Sequence, residues 1–194
     1  MRTRDPDAKR DALISAGLAV ADEHGLGQLS VNRVVALAGV AKGSFFHHFG
    51  DRAAFLTELH RRFHDRLAAD IDAATADLPP GRDRLLTGTR AYLDGCRRDR
   101  GTRALLVEAR AEPAVRLEVS RRNEQFSALA VPDFVVMGHP YPAAAARLWV
   151  VMAAEVAVAE SAAGGVLDDM RAALAKFADI GRPGSGSGAN GGAR

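Results

Sequence analysis

The sequence predicts an all-α chain of about nine helices, and three observations carry that prediction. Apolar residues recur at the helical i, i+3, i+4, i+7 spacing along nearly the whole chain. Glycine, proline and capping residues gather between those periodic runs rather than inside them. No stretch alternates apolar and polar residues as a strand would. With 194 residues, 47% hydrophobic and 26% charged, the composition is that of a globular protein long enough to bury a real core. Disorder of the whole chain is therefore excluded.

Asp5-Pro6 reads as an N-cap followed by proline at the first helical position, where its missing N–H costs nothing. Leu13, Ala16, Gly17 and Val20 follow at helical spacing, and Gly25 after His24 is the stop. Ser30 caps a short second helix with Val31, Val34, Val35 and Ala38 on one face, ended by Gly39. A third short helix is expected over 41–48, closed by Phe49-Gly50. Asp51 caps a long fourth helix with Phe55, Leu59, Phe63, Leu67 and Ile71 on one face, and Leu78-Pro79-Pro80-Gly81 ends it. Further helices are expected at about 83–98, 103–111 and 114–130. The stretch 131–142, with three prolines, is expected to be irregular. Two last helices, about 143–163 and 166–179, are divided by Gly164-Gly165. The tail 181–194, rich in Gly and Ser, is expected to be disordered.

The segment 143–159 is apolar, but Arg147 and Glu155 interrupt it, so it falls short of the roughly 20 uninterrupted apolar residues of a membrane span. A buried or interface helix is expected. The single cysteine, Cys96, excludes an internal disulfide and fits a reducing compartment. Asp5, Pro6 and Asp7 break any signal-peptide pattern at the start, so a cytoplasmic location is expected. The formal charge is +2 and the region 1–52 holds 7 basic against 6 acidic residues, so bulk charge does not argue for nucleic acid. Any such argument must come from local arrangement.

That arrangement lies in 30–49, SVNRVVALAGVAKGSFFHHF. Two short helices joined by a tight turn at Gly39-Val40 form a helix-turn-helix whose second helix is sized for the DNA major groove. Val31, Val34, Val35, Val40, Phe45 and Phe49 make an inner face that packs on Leu13 and Val20. The outer face presents Lys42, Gly43, Ser44, Phe46, His47 and His48. Gly43 has no side chain, so a duplex backbone can come close. Such a face suits a groove and does not suit a core.

The run 38–49, AGVAKGSFFHHF, followed by Asp51-Arg52 and Phe55-Leu56, resembles the signature of the tetracycline-repressor (TetR) family. The likeness is close over about 9–56; beyond that, helix number, order and length agree. The resemblance implies a homodimeric transcriptional regulator, usually a repressor. An N-terminal domain, 1–52, would bind a palindromic operator, and a larger helical domain, 53–180, would dimerise and bind a small-molecule inducer. By position, Ser30 would bind a phosphate, Lys42, His47 and His48 would contact backbone or bases, and Ser44 would lie near a base edge. Arg52, where the family usually has lysine, would hold a phosphate. Arg33 faces outward as a further DNA contact, and Arg2 and Arg4 would reach the flanking backbone or minor groove. Phe46 stands in place of the usual tyrosine and would touch a thymine methyl. Ala41 stands where serine or threonine often caps the recognition helix.

Elsewhere the sequence offers weaker candidates. His60 and His64 share a helix face at metal-ligand spacing, but Arg61, Arg62 and Arg66 crowd them, so exposed or pocket-lining histidines are expected and no metal. Cys96 is spaced as a core residue with Leu85, Thr89, Tyr92 and Leu93. No nucleophile elbow, phosphate loop or paired-cysteine motif is present, so neither catalytic residues nor a cofactor are expected. Glu108, Arg110 and Glu155 mark either polar contacts in a cavity or charge pairs. Size and helix position nominate Phe63, Tyr92, Leu106, Arg110, Phe126, Trp149 and Met152 as ligand-binding. Ala144, Leu148, Val151 and Glu155, with Leu167, Met170, Leu174 and Phe177, supply faces for a four-helix dimer interface. Two alternatives stay open: a DNA-binding protein regulated by a partner or by abundance, and a helical small-molecule binder or enzyme without specific DNA binding.

Overall fold

The computed structural model describes residues 6–98 and 101–180, with backbone alone at Pro6, Thr102, Arg103 and Arg110. Asp5, Arg2, Arg4 and the tail from 181 lie outside the described residues. Within them the chain forms α1 (Pro6–His24), α2 (Val31–Ala38), α3 (Lys42–Phe49), α4 (Arg52–Thr75), α5 (Arg82–Arg98), α6 (Thr102–Leu106), α7 (Arg116–Val136), α8 (Pro142–Ala163) and α9 (Asp168–Phe177). Short 3-10 turns fill 26–28, 108–111 and 113–115. No strand occurs among the described residues.

Local chemistry sets the boundaries of the first helices. The Ser30 hydroxyl accepts from the Arg33 N–H at 3.3 Å, and the Asp51 carboxylate accepts from the Ala54 N–H at 2.7 Å, each satisfying one orphan donor of a helix start. Ala41 begins α3 with no side-chain cap. Gly39, at φ 64°, supplies the left-handed turn between α2 and α3 that a side chain would strain.

α1 packs on α2, α3 and the start of α4. Phe45 and Phe49 from α3 meet Phe55 from α4, each with ring centroids 4.8 Å apart, and Val34 and Leu13 are fully buried beside them. The close approach of α1 to α4 needs Gly17: a Cβ there would lie 2.6 Å from Phe55 Cζ. α4 continues without a break to pack on α5 and α7, while α8 packs on α7, α5 and α6.

Two expectations are corrected. The single helix expected over 103–111 is α6 followed by one 3-10 turn at 108–111, with a second at 113–115 before α7; Pro113 cannot continue a helix, and the segment docks on α1 and α4 instead. The irregular stretch expected over 131–142 is largely helical: α7 runs through Pro132 to Val136. Proline there removes one N–H from the helix ladder, yet the turn around it buries Ala130, Asp133, Phe134 and Met137. Arg84 donates to the Leu129 carbonyl at 3.0 Å and pairs with Asp133, tying the turn around the proline to α5. Burial outweighs the lost hydrogen bond.

α8 is long and apolar enough by composition to cross a membrane. It buries Ala146, Trp149, Ala153, Val156, Ala157 and Glu160 against its neighbours. Its Glu160 is 1% exposed and receives both arms of Arg171 from α9, at 2.6 and 2.7 Å, plus the Leu167 N–H at 3.1 Å. Burial alone would raise the Glu160 pKa; these bonds lower it on balance.

Candidate nucleic-acid interface and internal cavity

The second helix of the helix-turn-helix presents Lys42, Gly43, Phe46 and His47 to solvent, with Ser44 and His48 half-buried at the sides of that face. Phe45 and Phe49 turn inward, so the same eight residues anchor α3 and leave its other side free. Nothing lies within 4 Å of a Cβ added at Gly43. Phe46 keeps 45% of its surface exposed, although its ring meets Phe45 edge-on at 5.6 Å. Ser30 and Arg33 are exposed at the start of α2.

Arg52, expected to hold a phosphate, makes hydrogen bonds within the protein. Its guanidinium donates to the Leu29 carbonyl at 2.8 Å and the Leu26 carbonyl at 2.7 Å, with Glu112 at 3.6 Å. The arginine braces the turn that leads into α2. Glu108, which the sequence marks as a cavity or charge-pair residue, accepts from the Leu26 N–H at 2.7 Å on the other side of that turn. Thr57 completes the contact by donating to the Ala114 carbonyl at 3.2 Å. The segment 108–114 is thereby fastened to the helix-turn-helix.

Behind this segment lies a cavity of about 110 Å³. Tyr92, Leu106, Phe126 and Trp149 line it, among the residues nominated from sequence. Phe63 is fully buried outside the lining, Met152 lies half-buried outside it, and the Arg110 side chain is not among those described. Sequence reasoning missed Thr89, Asn123, Arg84 and Asp133, which reach the lining from α5 and α7. Arg84 and Asp133 had no signal beyond charge within an amphipathic helix. In the structure they pair at 2.7 Å, and Asp133 also accepts from the Gly81 N–H at 2.8 Å. Trp149 donates to the Thr89 hydroxyl at 2.9 Å, and that hydroxyl donates to the Leu85 carbonyl at 2.7 Å.

His60 and His64 line the same cavity, buried rather than exposed, with ring centroids 4.2 Å apart. His64 Nδ1 lies 2.9 Å from the His60 carbonyl, which can only accept, so Nδ1 carries the proton and Nε2 is the bare nitrogen of a neutral ring. Burial holds the His60 pKa at about 4, against the pull of Glu118. It holds His64 at about 3, with His60 adding to the effect. Glu118 and Arg122 sit beside them on α7 in a buried pair at 2.9 Å, and Arg121, Asp65 and Arg61 complete the cluster. Arg121 and then Arg122 hold the Glu118 carboxyl well below the usual range despite burial. Among the described residues, His60 Nδ1 is the buried side-chain nitrogen or oxygen without a hydrogen-bond partner. No group of three or more metal-ligating side chains occurs among them. Cys96 is buried in the core.

Residues 13–59 match the family model described as bacterial regulatory proteins, tetR family. No curated protein matches the sequence. Among solved structures, a transcriptional regulator from Rhodococcus sp. Rha1 is similar at TM-score 0.73 and 20% identity, covering 88% of this chain and 94% of that one. A TetR-family transcriptional regulator from Streptomyces coelicolor is similar at 0.71 and 17%, covering 89% and 93%. The multidrug binding protein EbrR, complexed with imidazole, is similar at 0.69 and 21%, covering 87% and 94%. At these identities the likeness is one of fold.

Proposed function

We propose that this chain is a TetR-family DNA-binding transcriptional regulator, a homodimeric repressor released from a palindromic operator by a small-molecule inducer. The observation that carries the reading is the outward face of α3, where Lys42, Gly43, Phe46 and His47 stand exposed on a helix anchored by Phe45 and Phe49. Residues 1–52 form the DNA-binding domain and 53–180 the ligand and dimer domain. Ser30, Arg33, Lys42, Gly43, Ser44, Phe46, His47 and His48 face the operator, and Arg52 supports them by bracing the turn before α2. Tyr92, Leu106, Phe126 and Trp149 face the inducer. The protein acts in the cytoplasm, and catalysis is no part of its role.

The dimer joins exposed apolar surface on α8 and α9. Leu148, Val151 and Phe177 are 64%, 50% and 50% exposed there, a cost in water that a second copy removes. Leu174 faces inward and serves the protomer's own core. Release is a population shift. Leu105 and Leu106 of α6 line the cavity, and the chain runs from them directly into the segment that holds Leu26, Arg52 and Thr57. A ligand between α6 and α7 favours a different seat for that segment. The two recognition helices of the dimer then no longer match major grooves about 34–36 Å apart.

Selection from a random duplex library, with the enriched site measured at two salt concentrations, tests the reading. A two-fold symmetric site bound far above random DNA is expected. Uniform, salt-sensitive binding with no enriched site would instead favour a helical binder without specific DNA recognition.

A further inference from the structure

We propose that the cavity is built for a small, neutral, single-ring aromatic carrying a hydroxyl, a phenol, whose O–H is donated to His64 Nε2. The inference rests on the reading of this cavity as the inducer site and names the class of molecule it takes.

Three observations converge on that class. The first is size. At about 110 Å³, the cavity is of the same order as the roughly 150 Å³ apolar cavity that holds benzene, a size that suits a single ring. The second is the wall. Tyr92, Phe126 and Trp149 surround the space, with Tyr92 and Phe126 edge-on at 6.0 Å, a setting that favours a flat ring over an aliphatic chain.

The third is the pattern of satisfied and unsatisfied polar groups. Arg84 and Asp133 neutralise each other, Trp149 is bonded to Thr89, and Thr89 to Leu85. Asp72 and Leu129 are the exposed lining residues and mark the solvent end. No unpaired charge is left deep in the cavity to receive an ionic ligand, and an ion would lose its hydration without a counter-charge. The other neutral polar groups of the lining include the histidine pair, beside Asn123 and Tyr92. His64 offers a bare acceptor at Nε2, while His60 Nδ1, without a hydrogen-bond partner among the described residues, is itself buried beside it. A hydroxyl donates one hydrogen bond, which answers the His64 acceptor. A methyl group in its place would leave that acceptor unanswered.

The test is calorimetric titration of the full chain at neutral pH with phenol, toluene, benzoate and benzylammonium. Phenol is expected to bind at least about 10-fold more tightly than each of the others. His64→Leu is expected to keep toluene binding and bring phenol to about the same affinity. Should that variant fail to fold, the ¹⁵N resonance of His64 Nε2 in the wild-type protein reports the bond directly, by a shift on adding phenol that toluene does not produce. Toluene or either ion matching phenol, no binding by phenol, or an unmoved Nε2 resonance would overturn the proposal. Operator release is measured separately. Phenol binding that leaves the operator bound removes the inducer reading and keeps the ligand class; release by a different compound with no phenol binding does the reverse.

Discussion

The Glu108 carboxylate accepts a hydrogen bond from the Leu26 backbone N–H at 2.7 Å, joining residues 82 positions apart in the chain. Arg52 donates to the carbonyl of the same Leu26 at 2.7 Å. Both polar groups of one peptide residue are thus held by side chains from outside its own turn. Gly25, at φ 74°, lets the carboxylate approach: a Cβ there would lie 2.8 Å from Glu108 Oε2. The turn before α2 is a joint between the helix-turn-helix and the segment next to the cavity.

Glu108→Ala is expected to leave the Leu26 N–H without its acceptor and lower stability by about 1–2 kcal/mol. Hydrogen exchange at the Leu26 amide should accelerate more than exchange in α5 or α8. Unchanged protection at Leu26 would show that the joint does not depend on this bond.

Lys42 and Arg52 are expected to separate by phenotype. Lys42 is exposed on α3, so Lys42→Ala should weaken operator binding and reduce the salt slope by about one, with stability changed by less than about 0.5 kcal/mol. Arg52 serves two carbonyls, so Arg52→Ala should cost about 1–2 kcal/mol in denaturant titration. A stability loss for Lys42→Ala, or none for Arg52→Ala, would reverse these roles.

The difference between these two basic residues was not legible in the sequence. The helix boundaries around them were, because Ser30, Gly39, Asp51 and Gly50 act through neighbours a few positions away, and such local chemistry is written in order along the chain. Arg52 depends on carbonyls 23 and 26 positions back, and Glu108 on an amide 82 back, contacts that only the fold creates. The helix through Pro132 failed for a related reason: proline is a local signal for a stop, and the burial of Phe134 and Asp133 that overrides it is not local. Four nominated cavity residues reach the lining because large side chains on inner helix faces tend to meet at inter-helix spaces. Phe63 and Met152 satisfy the same criterion and miss it, since size and face do not fix which gap a side chain enters.

Two glycine-to-alanine substitutions are expected to act in opposite ways. At Gly17 the new methyl would sit 2.6 Å from Phe55 and 3.0 Å from Leu59, against the ring that anchors α3, so a loss of about 1–3 kcal/mol is expected. At Gly43 the methyl meets no protein atom, and α3 gains helix propensity worth up to about 1 kcal/mol. On the proposed operator contact the same methyl stands where the duplex would approach, so Gly43→Ala should be as stable as wild type or more so while losing operator affinity. Thermal melts and anisotropy titrations on both variants decide the matter, and full operator binding by Gly43→Ala would place the duplex elsewhere.

Acid sensitivity should begin well above the carboxylate range. His60 and His64 titrate at about 4 and about 3 in the folded protein, both below the ordinary value of 6.5, chiefly because they are buried. As pH falls below 6.5 the unfolded chain takes up protons at these rings and the folded chain does not, so stability is fully present above that value and declines toward the folded pKa values. Each histidine contributes up to about 1.4 kcal/mol per pH unit within that window. Glu118, whose carboxyl is held low by Arg121 and Arg122, carries the loss further once the unfolded carboxylates protonate. Urea denaturation between neutral pH and the start of the carboxylate range should show this slope, and His60→Leu or His64→Leu should flatten it. A wild-type profile level across that interval would mean that the two rings are charged, or exposed to water, in the folded protein.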